Sequence, residues 1–212
     1  PYSIKQWDRE AFMHDKWGRN FLGTPPQGRA DYAFFQHILA SMNDKTGRCA
    51  ILFPHGVLFR KEEEVLRRKL VESDLIECII GLGANLFYNS PMEACIIICR
   101  KNKAQEAKGR ITFINAVNEV VRKNAESYLE EKHIAKICKA YSTQDNIDNF
   151  SRTVSNELVL ENSANLNISL YVSAVTATKI SVLSVDDSIK QWQIRNKQMY
   201  NEFDNLLSLI HG

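Results

Sequence analysis

Cys49-Ala50-Ile51-Leu52-Phe53, stopped by Pro54 and Gly56, is a short apolar run without alternation. Such a run reads as a strand covered on both faces, the habit of parallel sheets. Before it, Asp31 opens a predicted helix in which Phe34, Phe35, Ile38, Leu39 and Met42 share one apolar face, and Asn43-Asp44-Lys45-Thr46-Gly47 ends it. After it, Glu62, Glu63 and Glu64 precede Arg67, Arg68 and Lys69. Acid first and base last suits the helix dipole, so 61–73 is predicted to be helical. Leu75 to Leu82 is a second strand and Ala94-Cys95-Ile96-Ile97-Ile98-Cys99 a third. About ten residues separate these two, too few for a helical crossover, so they are expected to pair antiparallel. The alternation predicts an α/β fold with a mostly parallel sheet ending in an antiparallel strand.

Outward from this centre the pattern loosens. Residues 1–29 read as irregular, with Trp7, Phe12, Trp17 and Phe21 among polar residues and a breaker at Gly23-Thr24-Pro25-Pro26-Gln27-Gly28. Past a polar linker, Ile111-Thr112-Phe113-Ile114 is one more apolar run, and a helix is expected from about 124 to 140. Residues 142–185 are rich in Ser, Asn and Thr and carry no clear period. A heptad seam closes the chain: Ile189, Trp192, Asn196, Met199, Phe203, Leu206 and Ile210 step by three and four. So short a seam with one polar residue wants partner helices. The expected division is 1–116, 117–185 as a mixed helix and loop extension, and 186–212 as a docking helix.

Composition excludes several classes. Of 212 residues, 44% are hydrophobic and 25% charged, with 27 Lys+Arg against 25 Asp+Glu, which rules out a disordered chain. No apolar run reaches the roughly 18 residues of a membrane span. A net charge of +2 argues against holding nucleic acid by bulk charge alone. Of the cysteines at 49, 78, 95, 99 and 138, Cys78, Cys95 and Cys99 sit inside apolar runs and read as buried; none has zinc-like spacing, and reduced thiols point to the cytoplasm.

Candidates for chemistry are few. Gly81-x-Gly83 lacks a third glycine and reads as a strand-ending turn rather than a dinucleotide loop. His55 follows a strand, where ligands of open α/β sheets bind, although loop histidines are common. Arg60, Lys61, Arg67, Arg68 and Lys69 read mostly as a solvated helix face. Arg100, Lys101 and Lys103, with Lys108 and Arg110 against a lone Glu106, form a positive loop that could meet phosphates or simply face water.

The order of features is more specific than any one of them. Pro1-Tyr2, Ala30-Asp31-Tyr32-Ala33-Phe34-Phe35-Gln36-His37-Ile38-Leu39, Gly47-Arg48-Cys49 through Phe59, Ile79-Ile80-Gly81-Leu82-Gly83-Ala84-Asn85-Leu86-Phe87-Tyr88 with the Ile96-Ile97-Ile98 strand, and Asn165-Leu166-Asn167-Ile168-Ser169-Leu170-Tyr171-Val172 stand in sequence. Together they resemble the methyltransferase (M) subunit of type I restriction–modification systems. The resemblance implies the C-terminal half of a Rossmann-like methyltransferase sheet with a helical C-terminal extension. It implies transfer of a methyl group from S-adenosylmethionine to adenine N6 in DNA.

Amino-group methyltransferases carry Asn/Asp-Pro-Pro-Tyr/Phe at a strand end, and Pro1-Tyr2 would be its second half. The expectation is a chain cut inside that motif, lacking the cofactor's glycine loop and inactive alone. Tyr2 would stack on the flipped base and Pro1 would position its amino group. Phe87, Tyr88 and His55 are candidates for other base contacts. Implied partners are DNA, the specificity (S) subunit and, in the full complex, the restriction (R) subunit. Two alternatives stay open: an Asn-Pro-Pro-Tyr-type enzyme acting on RNA or protein, and a non-catalytic α/β assembly module whose Pro-Tyr start is coincidental.

Overall fold

The computed structural model describes residues 4–87, 90–123, 126–172 and Asn196. The chain divides into two compact units, Pro1–Ala174 and Val175–Gly212. In the second, Asn196 lies in helical backbone, while Ile189, Trp192, Met199, Phe203, Leu206 and Ile210 fall outside the described residues.

The first unit opens with a short helix α1 (Arg9–Met13), capped by the Asp8 side chain accepting from the Ala11 amide. Trp7 Nε1 donates to the Gln27 carbonyl at 2.7 Å and Arg9 Nε to that of Pro25 at 2.8 Å, so side chains tie the irregular segment down. In α2 (Asp31–Ser41) the buried face is Asp31, Tyr32, Phe35, Gln36 and Leu39. Phe34, expected inside, is exposed, because Gln36 takes the buried place. Its side chain accepts from the Leu22 amide at 2.7 Å and donates to the Gly23 carbonyl at 2.9 Å, satisfying backbone that the breaker loop buries.

Strand β1 (Arg48–Pro54) follows, then a 3₁₀ turn His55–Leu58, a second at Lys61–Glu63, and α3 (Glu64–Glu72). Next come β2 (Ile76–Leu82), β3 (Ala94–Arg100) and β4 (Arg110–Ala116). The hairpin β5 (Val121–Lys123) and β6 (Glu126–Tyr128) precedes α4 (Glu131–Thr143). The helix expected from about 124 thus begins later, where Glu130 and His133 form a reciprocal capping box. The chain continues through β7 (Ser151–Ser155), α5 (Asn156–Glu161) and a 3₁₀ turn at Ile168–Leu170.

The main sheet has the order β1-β3-β2-β4-β7. As the short connection requires, β2 and β3 pair antiparallel. The antiparallel strand expected at the end is instead inserted between β1 and β2, so only β2–β4 is a parallel pairing while β1, β2 and β4 still share one direction. Strand β7 lies beside β4 and escapes a hydrophobicity reading, because its sequence is Ser-Arg-Thr-Val-Ser and only Ser151 and Val154 are buried. It joins the sheet across the 116/117 division expected from sequence, and one core cluster includes Val154, Val159, Leu166 and Tyr171 beside Phe53, Ile79 and Phe113.

Two cores flank the sheet. On one face α2, α3, α5 and the 164–172 segment cover Phe53, Ile79, Ile97 and Phe113, with Phe113 and Tyr171 stacked at 4.4 Å. On the other, Ile137 and Ala140 of α4 cover Cys78, Ile80 and Ile114. Gly81 and Gly83 are explained by packing: a Cβ at Gly81 would lie 2.7 Å from Ile168 Cδ1, and one at Gly83 2.6 Å from the Val117 carbonyl oxygen. Gly81 lies within β2 rather than in a turn. No helix among the described residues is long and apolar enough to cross a membrane.

Candidate functional site

Because β1, β2 and β4 run together, their carboxyl ends at Pro54, Leu82 and Ala116 form one rim of the sheet, joined there by the start of β3 at Ala94. This rim is where ligands of open α/β sheets bind. His55 leaves β1 directly into it. Its amide donates to the Glu93 carbonyl at 3.3 Å, its Nδ1 lies 3.7 Å from Glu93 Oε2, and its ring meets Phe59 edge-on at 5.9 Å. Burial lowers the imidazole below its ordinary 6.5 and Glu93 partly offsets this, so the ring is neutral at pH 7. Its buried Nε2 has no hydrogen-bond partner among the described residues.

Phe87 reaches the same rim through a bridge to Ser90. Beside it opens a mainly apolar cavity of about 220 Å³ lined by Leu52, Phe53, Pro54, Phe87, Ser90, Met92, Glu93 and Ala94. The volume suits part of a planar heterocycle, with Phe87 supplying an aromatic wall. Pro1, Tyr2 and Tyr88 lie outside the described residues.

The positive loop stands at the opposite rim, where its cations are paired with acids. Arg100 Nε pairs with Glu77 Oε1 at 2.7 Å, Lys101 with Asp44 at 3.3 Å, and Lys103 with Asp74 at 2.6 Å. Lys103 is buried and also donates to the Arg110 carbonyl at 2.9 Å. In sequence only Glu106 stands among these cations, but folding brings their acids from the turn after α2 (Asp44), the turn after α3 (Asp74) and the start of β2 (Glu77). Exposed basic residues nearer the carboxyl rim are Arg122 and Lys123 of the β5–β6 hairpin, anchored by the Ser127 amide donating to the Asn85 carbonyl at 2.9 Å. No hydrophobic pattern marks so short a hairpin.

A buried ionic cluster also escaped the sequence reading. Asp31, at the start of α2, is 2.9 Å from Arg60 Nη1, and Glu63 Oε1 is 3.6 Å from the same nitrogen. The Arg60 side chain lies over Gly56, where a Cβ would come within 2.8 Å of its Nε, placing the cluster next to His55. Arg67, read as solvated, is buried and donates to the carbonyls of Ala164 at 3.0 Å and Arg60 at 2.6 Å. Neither oxygen of the buried Glu63 has a hydrogen-bond partner among the described residues, and desolvation pushes its carboxyl up to about 7. The missed signal is that Arg67 falls among Leu66, Leu70 and Val71, the buried face of α3.

The space at Gly81 and Gly83 is filled by Ile168, Val117 and Val120, so these two glycines do not cradle a nucleotide-like cofactor.

This mixed α/β fold is shared with a methyltransferase subunit of known structure. The solved methyltransferase subunit of a type I restriction–modification system from Streptococcus thermophilus matches with a TM-score of 0.75 and 36% identity, over 82% of this chain and 36% of that one. The chain belongs to the N-6 DNA Methylase family, whose model matches residues 1–179. Two relatives from Methanocaldococcus jannaschii, the type I restriction enzyme MjaVIII and MjaVII methylase subunits, are 40% and 38% identical over 82% and 85% of the chain. The chain spans about a third of their length, 31% and 32%.

Proposed function

We propose that this chain forms the base-binding half of a type I restriction–modification methyltransferase subunit. The longer protein of which it would be part transfers a methyl group from S-adenosylmethionine to adenine N6 in DNA. The observation that carries the reading is the carboxyl-end cavity walled by Phe87 in a chain of this family. Adenine N6 is a poor nucleophile, because its lone pair is delocalised into the ring. What the chain supplies is therefore orientation. Tyr2 stacks on the flipped base, the Pro1 carbonyl accepts a hydrogen bond from its amino group, and Phe87 and Tyr88 bound its other face. His55, neutral and with its buried Nε2 lacking a partner among the described residues, is a further polar contact at that rim. The cofactor is assigned to segments other than the described residues, because the space at Gly81 and Gly83 is filled by Ile168, Val117 and Val120.

Partners follow from the same assignment. DNA is the substrate, a specificity subunit reads the target, and a restriction subunit completes the assembly. The 186–212 helix is proposed to dock on the specificity subunit through Ile189, Trp192, Asn196, Met199, Phe203, Leu206 and Ile210, an apolar heptad seam interrupted by one Asn. In the proposed division of labour the catalytic sheet of 1–116 also takes in β7 from the 117–185 segment, and 186–212 is kept for docking.

The test uses the protein at the full length of its relatives, assayed for methyl transfer to DNA, RNA and protein. Tyr2→Ala is expected to lower kcat/KM on DNA by about 5- to 150-fold, the value of one base–aromatic stack of roughly 1–3 kcal/mol. Phe87→Ala should have a smaller effect. Activity on RNA or protein alone, or full DNA activity in Tyr2→Ala, would overturn the assignment.

A further inference from the structure

Strands β1 and β3 bring two cysteines face to face. Cys49 and Cys99 are register partners, and both point to the face covered by α2. The Lys101 amide donates to the Gly47 carbonyl at 2.9 Å. Two residues further on, Cys49 and Cys99 therefore form another pair of the hydrogen-bonded class, with Cα atoms about 5.5 Å apart. That separation lies inside the roughly 4.4–6.8 Å range over which a disulfide can close. Cβ atoms in such a pair start about 4.5–5.5 Å apart and must approach to about 4 Å, so the bond would carry strain.

The two thiols differ in access. Cys99 is fully buried, whereas Cys49 is half-buried and lines an open cleft of about 360 Å³ with His37, Ser41, Met42 and Asn43. A hydrogen bond shared with the Cys99 thiol draws the Cys49 thiol below its usual range, and the same bond raises Cys99. The other buried thiols lack this arrangement: burial pushes Cys95 up to about 12, and Cys78 further still. Cys138 is exposed on α4, far along the chain from any other cysteine.

We propose that Cys49 and Cys99 form a reversible oxidation site, in which Cys49 is the solvent-facing nucleophile and Cys99 the resolving thiol. With hydrogen peroxide as oxidant, the Cys49 sulfur attacks one peroxide oxygen, the O–O bond breaks, and water leaves, giving a sulfenic acid. The Cys99 sulfur then attacks the Cys49 sulfur; the S–O bond breaks and hydroxide leaves with the Cys99 proton as a second water. Two thiols lose two electrons, and one peroxide is reduced to two waters. Strain in the product favours its reduction by ordinary dithiols, so the site is a reversible one.

The 212-residue chain treated with hydrogen peroxide should lose two thiols on native titration, in addition to any oxidation of Cys138, and recover them with dithiothreitol. Peptide mapping without reduction should yield the Cys49 peptide joined to the one carrying Cys99, with fragmentation assigning the bond to Cys99 rather than Cys78 or Cys95. Cys49→Ser, at a half-buried position, should abolish the linked peptide while leaving the circular dichroism spectrum unchanged. Cys99→Ala should leave Cys49 as a sulfenic or sulfinic acid without a partner. Cys49 over-oxidised in the unaltered chain with Cys99 still free, or a linked peptide persisting in Cys49→Ser, would overturn the proposal.

Discussion

Replacing Glu63 by Gln should stabilise the protein at pH 8 and do almost nothing at pH 4.5. The Glu63 side chain is fully buried, neither oxygen receives a hydrogen bond among the described residues, and Arg60 Nη1, 3.6 Å away, also pairs with Asp31 at 2.9 Å. Desolvation therefore exceeds the pull of Arg60 and lifts the carboxyl from an ordinary 4.5 to about 7. At roughly 1.4 kcal/mol per pH unit, ionised Glu63 costs the folded state about 3 kcal/mol once the pH is above 7. The sign follows from proton binding. The folded state holds the proton more tightly, so the contribution of Glu63 is intact below 4.5 and is lost as pH rises through about 7. Glu63→Gln should thus raise the urea midpoint at pH 8 by about 1.5 M at a slope of about 2 kcal/mol per M. In thermal melts the same gain is roughly 6–12 °C for a chain of this size. Glu63→Met, which needs no hydrogen bond, should show the same pH-dependent gain and guards against a badly seated amide. If both variants were less stable than the parent at pH 8, and the parent's stability did not fall between pH 5 and 8 relative to theirs, Glu63 would be ionised in the fold and the desolvation argument would be wrong.

Lys103→Met should cost about 2 kcal/mol in urea denaturation, the worth of a charged hydrogen bond to Asp74, while leaving DNA affinity of the longer protein unchanged. Gly83→Ala should destabilise by about 1–3 kcal/mol, because its Cβ meets the Val117 backbone, whereas Gly81→Ala meets a side-chain methyl that can rotate and should cost less. The His55 ring should titrate by NMR below 6.5 in the folded chain, and lower still in Glu93→Gln. Its contribution to stability is accordingly present above 6.5 and lost as pH falls below it. Leu206→Asp combined with Phe203→Asp should abolish co-purification of the longer protein with its specificity subunit; unchanged co-purification would refute the docking proposal.

Legibility followed how far a residue's partner lies along the chain. Strands β2 to β4 and helices α2 and α3 were readable, because each buries enough of its own length to leave a hydrophobic run or stripe. Strand β1 was found by its apolar run, but it is not covered on both faces as that run implied: it is an edge strand with only Phe53 and Pro54 buried. Strand β7 was not, since it needs only Ser151 and Val154 inside and takes its place from backbone pairing with β4. Strand β6 was absorbed into the helix predicted from about 124 and β5 went unread for the same reason: three-residue strands show no period. Within the site, His55 was legible from its position after a strand. The Asp31–Arg60–Glu63 cluster was not, because charged residues near a helix start look solvated until the packing of α2 over the β1 end is known.

By itself, the sequence determined the alternation of elements, the antiparallel return of β3 and the family resemblance that the N-6 DNA Methylase match shows. These are properties of local hydrophobic period, connection length and ordered motifs. Tertiary structure alone decided the insertion of β3 between β1 and β2, the pairing of Arg100, Lys101 and Lys103 with remote acids, and the burial of Glu63. Each depends on which segments meet in space, and the cost or gain of a charge is set by its distance to an opposite charge and to water, not by its neighbours in sequence.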